Sequence, residues 1–256
     1  MSVLDAFRLD GKKAIVTGGG QGLGKAMATA LAEAGADVAI ADLNADSAAA
    51  VAKELEGLGR QSMAIQVNVS NEEQVKAMVA KVVDAWGTVD ILINSAGINR
   101  RNTLIDLPVE DYDAIMDVNL RGTFLCCQEA GRIMTAKGSG AIINVSSMSA
   151  FIINKDRPVG AYCASKAGVN LLTKGFAAEW AKSGVRVNAI APGYFKTPLN
   201  FPWMATEQGP EALSLTPMGR FAEPEEIGPL AVFLASPASS FITGHIVLID
   251  GGYTIW

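Results

Sequence analysis

Seven short aliphatic runs recur along the chain, at Ala14–Val16, Val38–Ile40, Met63–Val67, Ile91–Ile93, Ala141–Val145, Val185–Ile190 and Ile246–Ile249. Each reads as a strand buried on both faces, because one wet face would impose apolar/polar alternation. Helical periodicity fills most of the intervals. The clearest helix puts Val75, Met78, Val79, Val82, Val83 and Trp86 on one face, opens on a capping box of Ser70 and Glu73, and stops at Gly87. A second carries Val169, Leu172, Phe176 and Trp180 as a stripe, and a third begins near Pro224 and carries Ile227, Leu230 and Leu234. Strand and helix in alternation predict an α/β fold: a single Rossmann-type doubly wound parallel sheet of about seven strands, with helices on both faces and right-handed crossovers. The longest stretch without periodicity, 192–217, is rich in Pro, Phe and Met and is expected to be a substrate loop, with a surface insertion as the alternative.

Length and composition narrow the class. At 256 residues, half of them hydrophobic, the chain can bury one sizeable core, so residues 1–256 are expected to form one cofactor-binding and catalytic domain. A net charge of −5 with both signs interspersed argues against a nucleic-acid face. Met1 to Asp10 lacks a basic leader followed by an apolar run, and no apolar run reaches the length of a membrane span. Three cysteines, two of them adjacent at Cys126 and Cys127, do not make a disulfide framework. A cytoplasmic protein with no membrane partner is the expectation.

Candidate chemistry begins after the first strand, in Ala14-Ile-Val-Thr-Gly-Gly-Gly-Gln-Gly-Leu-Gly24. Gly18, Gly22 and Gly24 permit a tight turn, and a helix starting near Gln21 would aim its free amides at a pyrophosphate. A glycine-rich turn alone is weak evidence, but its place between strand and helix and the acid ending the second strand strengthen it. That acid is Asp42. Its carboxylate can accept from both ribose hydroxyls of NAD and would repel the 2′-phosphate of NADP, and no Arg or Lys adjoins Gly20 or closely follows Asp42 to reverse that preference. The cofactor is therefore expected to be NAD.

Further motifs in order make the chain resemble the short-chain dehydrogenase/reductase family over essentially its whole length. Thr17-Gly-x-x-x-Gly22-x-Gly24 resembles that family's cofactor turn, and Asn94-Ser-Ala-Gly97 its Asn-Asn-Ala-Gly signature, with Ser95 in place of the second Asn. Pro192-Gly193 with Thr197 resembles the nicotinamide segment, and Asp250-Gly-Gly252 the closing strand signature. The resemblance implies cofactor contacts from Thr17, Gly18, Gln21, Gly22, Leu23, Gly24, Asp42, Asn68, Val69, Asn94, Ala96 and Gly97, and from Tyr162, Lys166, Pro192, Gly193, Phe195 and Thr197. Asn68 stands where many members have Asp. Its amide oxygen would accept from the adenine amino group with less charge bias.

The same resemblance implies a catalytic set of Asn119, Ser147, Tyr162 and Lys166. Alcohol oxidation needs a base for the hydroxyl proton, and a free tyrosine with a pKa of roughly 10 needs a cation nearby to serve. Lys166, one helical turn from Tyr162, can supply it. By resemblance Lys166 also holds the nicotinamide ribose, Ser147 bonds the substrate oxygen, and Asn119 holds a water leading from Lys166 to solvent. The Ser147-to-Tyr162 interval is longer than is usual in the family, so Ser149 competes with Ser147, although Ile143-Asn-Val-Ser-Ser147 at the strand end favours Ser147.

Other conspicuous residues read as structural. His245, the single histidine, opens the last strand, Cys163 is expected to be a small buried hydrophobe, and no His/Cys cluster calls for a transition metal. A hard cation at the Trp256 carboxylate is a minor alternative to no metal at all. Asn94-Ser-Ala-Gly-Ile-Asn-Arg-Arg101 resembles gluconate 5-dehydrogenases, while the 147–158 loop with Ser149, Asn154 and Arg157 resembles galactitol-type polyol dehydrogenases. Arg100 and Arg101 could grip a carboxylate or be two solvated cations. The expected substrate is polyhydroxylated, either a sugar acid such as gluconate or a polyol or ketose. An acyl-carrier-protein-linked 3-oxoacyl reductase and an inactive NAD-binding sensor are the competing classes. Family resemblance implies a homotetramer.

Overall fold

The computed structural model describes residues 2–155 and 157–256. Met1, at the head of the segment read for a leader, and Asp156, within the 147–158 loop, lie outside the described residues. Seven parallel strands form one sheet: β1 (Lys13–Thr17), β2 (Asp37–Asp42), β3 (Ser62–Gln66), β4 (Ile91–Asn94), β5 (Gly140–Val145), β6 (Val185–Pro192) and β7 (Ile246–Ile249). Their spatial order is β3-β2-β1-β4-β5-β6-β7, so the chain winds outward from β1 to one edge, returns to β4, and winds outward to the other. The reversal between β1 and β4 opens a crevice at the carboxyl ends of the strands.

The principal helices are α1 (Gly22–Glu33), α2 (Ala45–Gly57), α3 (Glu72–Trp86), α4 (Val109–Met116), α5 (Gly122–Lys137), α6 (Gly160–Trp180), the short α7 (Phe201–Met204) and α8 (Gln208–Ser214), and α9 (Gly228–Ala235). Alternate residues of each inner strand feed separate cores. Ala14 and Val16 of β1 pack with Met27, Leu31 and Leu234 on one face, whereas Ile15 packs with Met78, Val82 and Leu125 on the other. A strand buried on both sides has no position for a polar residue, which is why its sequence does not alternate. The two edge strands depart from that expectation: most of β3 and all of β7 keep partial exposure, having a neighbour on one side only.

The capping box expected at Ser70 and Glu73 is corrected to a different cap. Asn71 accepts from the Gln74 amide at 3.0 Å, while Ser70 turns back to Asn68 and Glu73 pairs with Lys76 on the surface. Asn and Ser are comparable N-caps, so one-residue competition between them is decided by the turn that delivers the chain. The 192–217 stretch contains α7 and α8, too short to register as periodicity. His245 meets its structural reading through its backbone: its N–H donates to Asn188 Oδ1 at 3.0 Å and its carbonyl accepts from Ala189 at 2.8 Å.

Candidate active site

The crevice is a cleft of about 850 Å³, reaching from Asp42 past the glycine turn to Ser147, Tyr162 and the 192–200 segment. At one end β1 runs into a turn that tolerates no side chain. Gly18 has φ of +63° and an added Cβ there would sit 2.8 Å from the Ala96 backbone; one on Gly24 would sit 2.0 Å from the Gly18 carbonyl oxygen. This leaves the first turn of α1 open to the cleft at Gly22 and Leu23, as a phosphate cradle requires. Asp42 ends β2 on the same wall. Its Oδ2 accepts from the Gly20 amide at 2.9 Å and its Oδ1 from Asn44 at 3.0 Å, so the carboxylate is fixed in the cleft wall. The residues present therefore fit a nicotinamide dinucleotide: an open helix terminus for the pyrophosphate and an oriented acid for a ribose.

Gln21, Val69, Ala96, Gly97, Pro192, Gly193, Phe195 and Thr197 also line the cleft as expected. Gly193 is forced by its neighbour, since a Cβ there would fall 2.6 Å from the Asp250 Cα; the Pro-Gly and Asp-Gly-Gly motifs are thus two sides of one backbone contact. Three expected cofactor residues have partners within the protein. Thr17 does not line the cleft: its hydroxyl accepts from Ser95 at 3.2 Å and stitches β1 to β4. Asn94 is buried between strands, donating to Asn144 Oδ1 at 2.9 Å. Asn68 lines the cleft, but its Oδ1 already accepts from the Ser70 amide and hydroxyl at 3.1 and 2.8 Å, which fills the two lone pairs expected to serve adenine.

At the other end, α6 presents Tyr162 and Lys166 one turn apart, both in the cleft wall. Burial raises the Tyr162 phenol above the usual tyrosine value, opposed by the nearby Ser147 hydroxyl and by the charge of Arg157. Lys166 Nζ lies 5.7 Å from the Tyr162 ring centre and donates to the Val145 carbonyl at 2.8 Å, and burial brings the ammonium down to about 8. Asn119 sits in a π turn, Asp117–Arg121, between α4 and α5. Its amide is consumed within the protein: Oδ1 accepts from Ile98 at 2.8 Å, and Nδ2 donates to the Ile98 carbonyl and Ser165 Oγ at 2.9 and 3.1 Å. The side chain therefore fixes the strand-end loop.

Two serines compete in sequence and separate in space. Ser147 faces the phenol, whereas Ser149 donates to Asn154 Oδ1 at 2.6 Å, with its own amide given to Ser147 Oγ at 3.1 Å. Asn154 Nδ2 passes the connection to the Tyr194 hydroxyl at 3.0 Å. Arg100 lies outside the cleft, exposed, 3.4 Å from Asp111 on α4. Arg101 and Arg157 converge on the Trp203 indole of α7. Sequence reasoning missed Asn99, Tyr194 and Trp203. Asn99 lines the cleft with its Oδ1 buried and unpartnered, and an Asn directly before the Arg pair was the available signal. All three cysteines are buried and free, and burial pushes Cys126 up to about 12, so none is poised as a nucleophile. Among the described residues, no helix is long and apolar enough to cross a membrane.

Comparison with known proteins places this arrangement. The chain is 44% identical over 255 residues to D-threitol dehydrogenase of Mycolicibacterium smegmatis, covering 100% of this chain and 97% of that one. It is 42% identical to the L-tagatose-forming galactitol 2-dehydrogenase of Cereibacter sphaeroides, with both chains fully covered. The crystal structure of a gluconate 5-dehydrogenase from Burkholderia cenocepacia in complex with NADP and tartrate superposes with a TM-score of 0.95 at 39% identity over 100% of each chain. A family model described as enoyl-(acyl carrier protein) reductase, adh_short_C2, matches residues 18–254. A nicotinamide-linked oxidoreductase on a seven-stranded doubly wound sheet, the chain belongs to the short-chain dehydrogenase/reductase family.

Proposed function

We propose that this chain is an NAD-dependent dehydrogenase that interconverts a secondary alcohol and a ketone on a polyhydroxylated substrate. The observation that carries the reading is the Tyr162 phenol, set beside Ser147 and Lys166 in the wall of a cleft whose other end is a phosphate-binding turn. The relatives named for threitol and galactitol support the substrate class. A bound oxidised nicotinamide supplies the hydride acceptor. The protein does the rest. Ser147 holds the substrate hydroxyl against Tyr162, whose ionised oxygen takes the hydroxyl proton as the carbon loses hydride, leaving a ketone, reduced cofactor and a neutral phenol. Lys166, in the cleft beside Tyr162, is positioned to hold the nicotinamide ribose and to favour the ionised phenol electrostatically. Residues 1–256 act as one domain, with the substrate loop at 192–217. The test is reduced-nicotinamide absorbance on mixing the protein with NAD and a panel of tetritols to hexitols and their acids; no turnover across the panel overturns the reading.

Two substitutions examine its parts. Ser147→Ala is expected to lower kcat about 10²-fold, the usual cost of a transition-state hydrogen bond. Ser149→Ala should cost far less, because that hydroxyl is committed to Asn154. A reversed ranking would move the substrate-binding role to Ser149. Asp42→Ala should weaken NAD and improve NADP, since it removes an acceptor from one and a like charge from the other; among the described residues no Lys or Arg pairs with Asp42 to mask that charge. Wild-type protein that prefers NADP would refute the cofactor assignment.

The chain's working context is proposed on the same footing. Three reduced, buried cysteines suit the cytoplasm. An assembly of four copies is favoured by the outer faces of α5 and α6, where Phe124 and Leu171 stay exposed beside an apolar groove.

A further inference from the structure

Two groups in the cleft lack a partner that their burial demands, Asn99 Oδ1 and the charged guanidinium of Arg157. Arg157 lines the cleft with Tyr162 and Ser147, and its guanidinium lies flat enough on the 192–217 loop to bring its central carbon 3.8 Å from the Trp203 ring centre and 5.0 Å from that of Tyr194. Its Nε is shielded from solvent yet makes no hydrogen bond. Stacking on aromatics accounts for the plane of the guanidinium, but a desolvated charged N–H without an acceptor is a cost that stacking does not require.

The platform beneath it is rigid. Trp203 is 1% exposed, its indole N–H donates to Asn200 Oδ1 at 3.0 Å, and Tyr194 and Phe221 pack against it at 4.9 and 5.8 Å. A second guanidinium, that of Arg101, lies 6.0 Å from the same indole. Burial and the charge of Arg157 both lower the Arg101 pKa, the mark of two cations in proximity. Among the described residues, no carboxylate lies within ion-pair reach of either; Glu211, on α8, pairs with Lys155, and Asp111 with Arg100. Two cations held in one place with no acid between them among the described residues, one with an unused buried donor, make a receptor for an anion.

We propose that Arg157, backed by Arg101, is a carboxylate subsite, and that the substrate is an open-chain polyhydroxy acid whose secondary alcohol meets Tyr162. This rests on the dehydrogenase reading and adds to it the acid end of the substrate, a role for which sequence alone pointed to Arg100 and Arg101. A neutral polyol would satisfy Nε through a hydroxyl but leave both charges uncompensated.

The experiment uses NAD-saturated full-length protein and matched ligands, threonate, xylonate and gluconate against their amides, which are near-isosteric and lack the charge. Isothermal titration calorimetry should show at least one acid binding about 30-fold or more tighter than its amide, the range expected for a desolvated charge pair. Arg157→Gln should erase that preference while amide binding stays measurable, which also reports an intact site; Arg157→Lys should restore part of it. Equal wild-type affinity for acid and amide, no measurable acid binding, or an acid preference that survives Arg157→Gln each overturns the subsite. Turnover is scored separately: neutral polyols oxidised without any acid preference would remove the subsite and leave the dehydrogenase standing, whereas acid preference without reduction of NAD by any alcohol would strike the dehydrogenase reading itself.

Discussion

Tyr162→Phe is expected to lower kcat by about 10³-fold, within the usual contribution of a positioned proton acceptor and equivalent to roughly 4 kcal/mol of barrier. The substitution keeps the ring that lines the cleft and removes only the oxygen that Ser147 addresses. Cofactor affinity should therefore change little, because Lys166 stays on the Val145 carbonyl and the glycine turn is remote from the phenol. The pH profile gives a second, independent reading. Burial raises the Tyr162 phenol and thereby favours its neutral form, so alcohol oxidation by wild-type protein should accelerate as the pH rises toward ionisation of that phenol. In Tyr162→Phe this alkaline limb should vanish together with the rate. A variant that retained both would place the base elsewhere in the cleft, and one that lost NAD binding would mean the hydroxyl has a structural duty the hydrogen bonds do not reveal.

The sheet was legible because burial on both faces leaves an unmistakable signature. All seven aliphatic runs are strands, and the two cores on either side of Ile15 explain why none of the inner ones alternates. The chemistry of the cleft was legible where a motif fixes backbone, as at Gly18, Gly24 and Gly193, or where two side chains share a helix face, as at Tyr162 and Lys166. Side-chain destinations were another matter. Thr17 and Asn94 stand in cofactor motifs, yet the Thr17 hydroxyl and the Asn94 Nδ2 join strands, because a buried donor or acceptor takes whichever partner the fold brings near. Arg100 and Arg101 are adjacent and chemically identical; only the path of the chain toward α4 sends one to Asp111 and the other to Trp203. No spacing rule relates Arg157 to an indole on another loop, so that convergence emerges only in three dimensions.

Gly24→Ala should abolish measurable NAD binding at concentrations that saturate the wild type, although the change adds a single methyl group far from Tyr162. The added Cβ would lie 2.0 Å from the Gly18 carbonyl oxygen and 2.8 Å from its carbon, with both contacts to backbone rather than to a side chain that could swing aside. Ordinary C···O contacts lie near 3.3–3.6 Å, so the turn must open by more than 1 Å or α1 must slide along the sheet. Either movement carries the Gly22 and Leu23 amides away from the position at which they meet a phosphate, and displacement on the order of 1 Å in a preorganised site typically costs about 10²-fold. Overpacking of this kind also costs about 1–3 kcal/mol of stability, so thermal unfolding should shift downward at the same time. Gly57→Ala separates the two effects: it lies at the end of α2 with nothing within 4 Å of its added Cβ, and should leave both NAD affinity and folding intact or slightly improved. Circular dichroism establishes the temperature at which Gly24→Ala is still folded, and calorimetric titration with NAD below that temperature reads the cradle alone. Wild-type affinity in the folded variant would show that the turn yields more readily than its backbone contacts allow, and the phosphate would then have to be held from another part of the cleft.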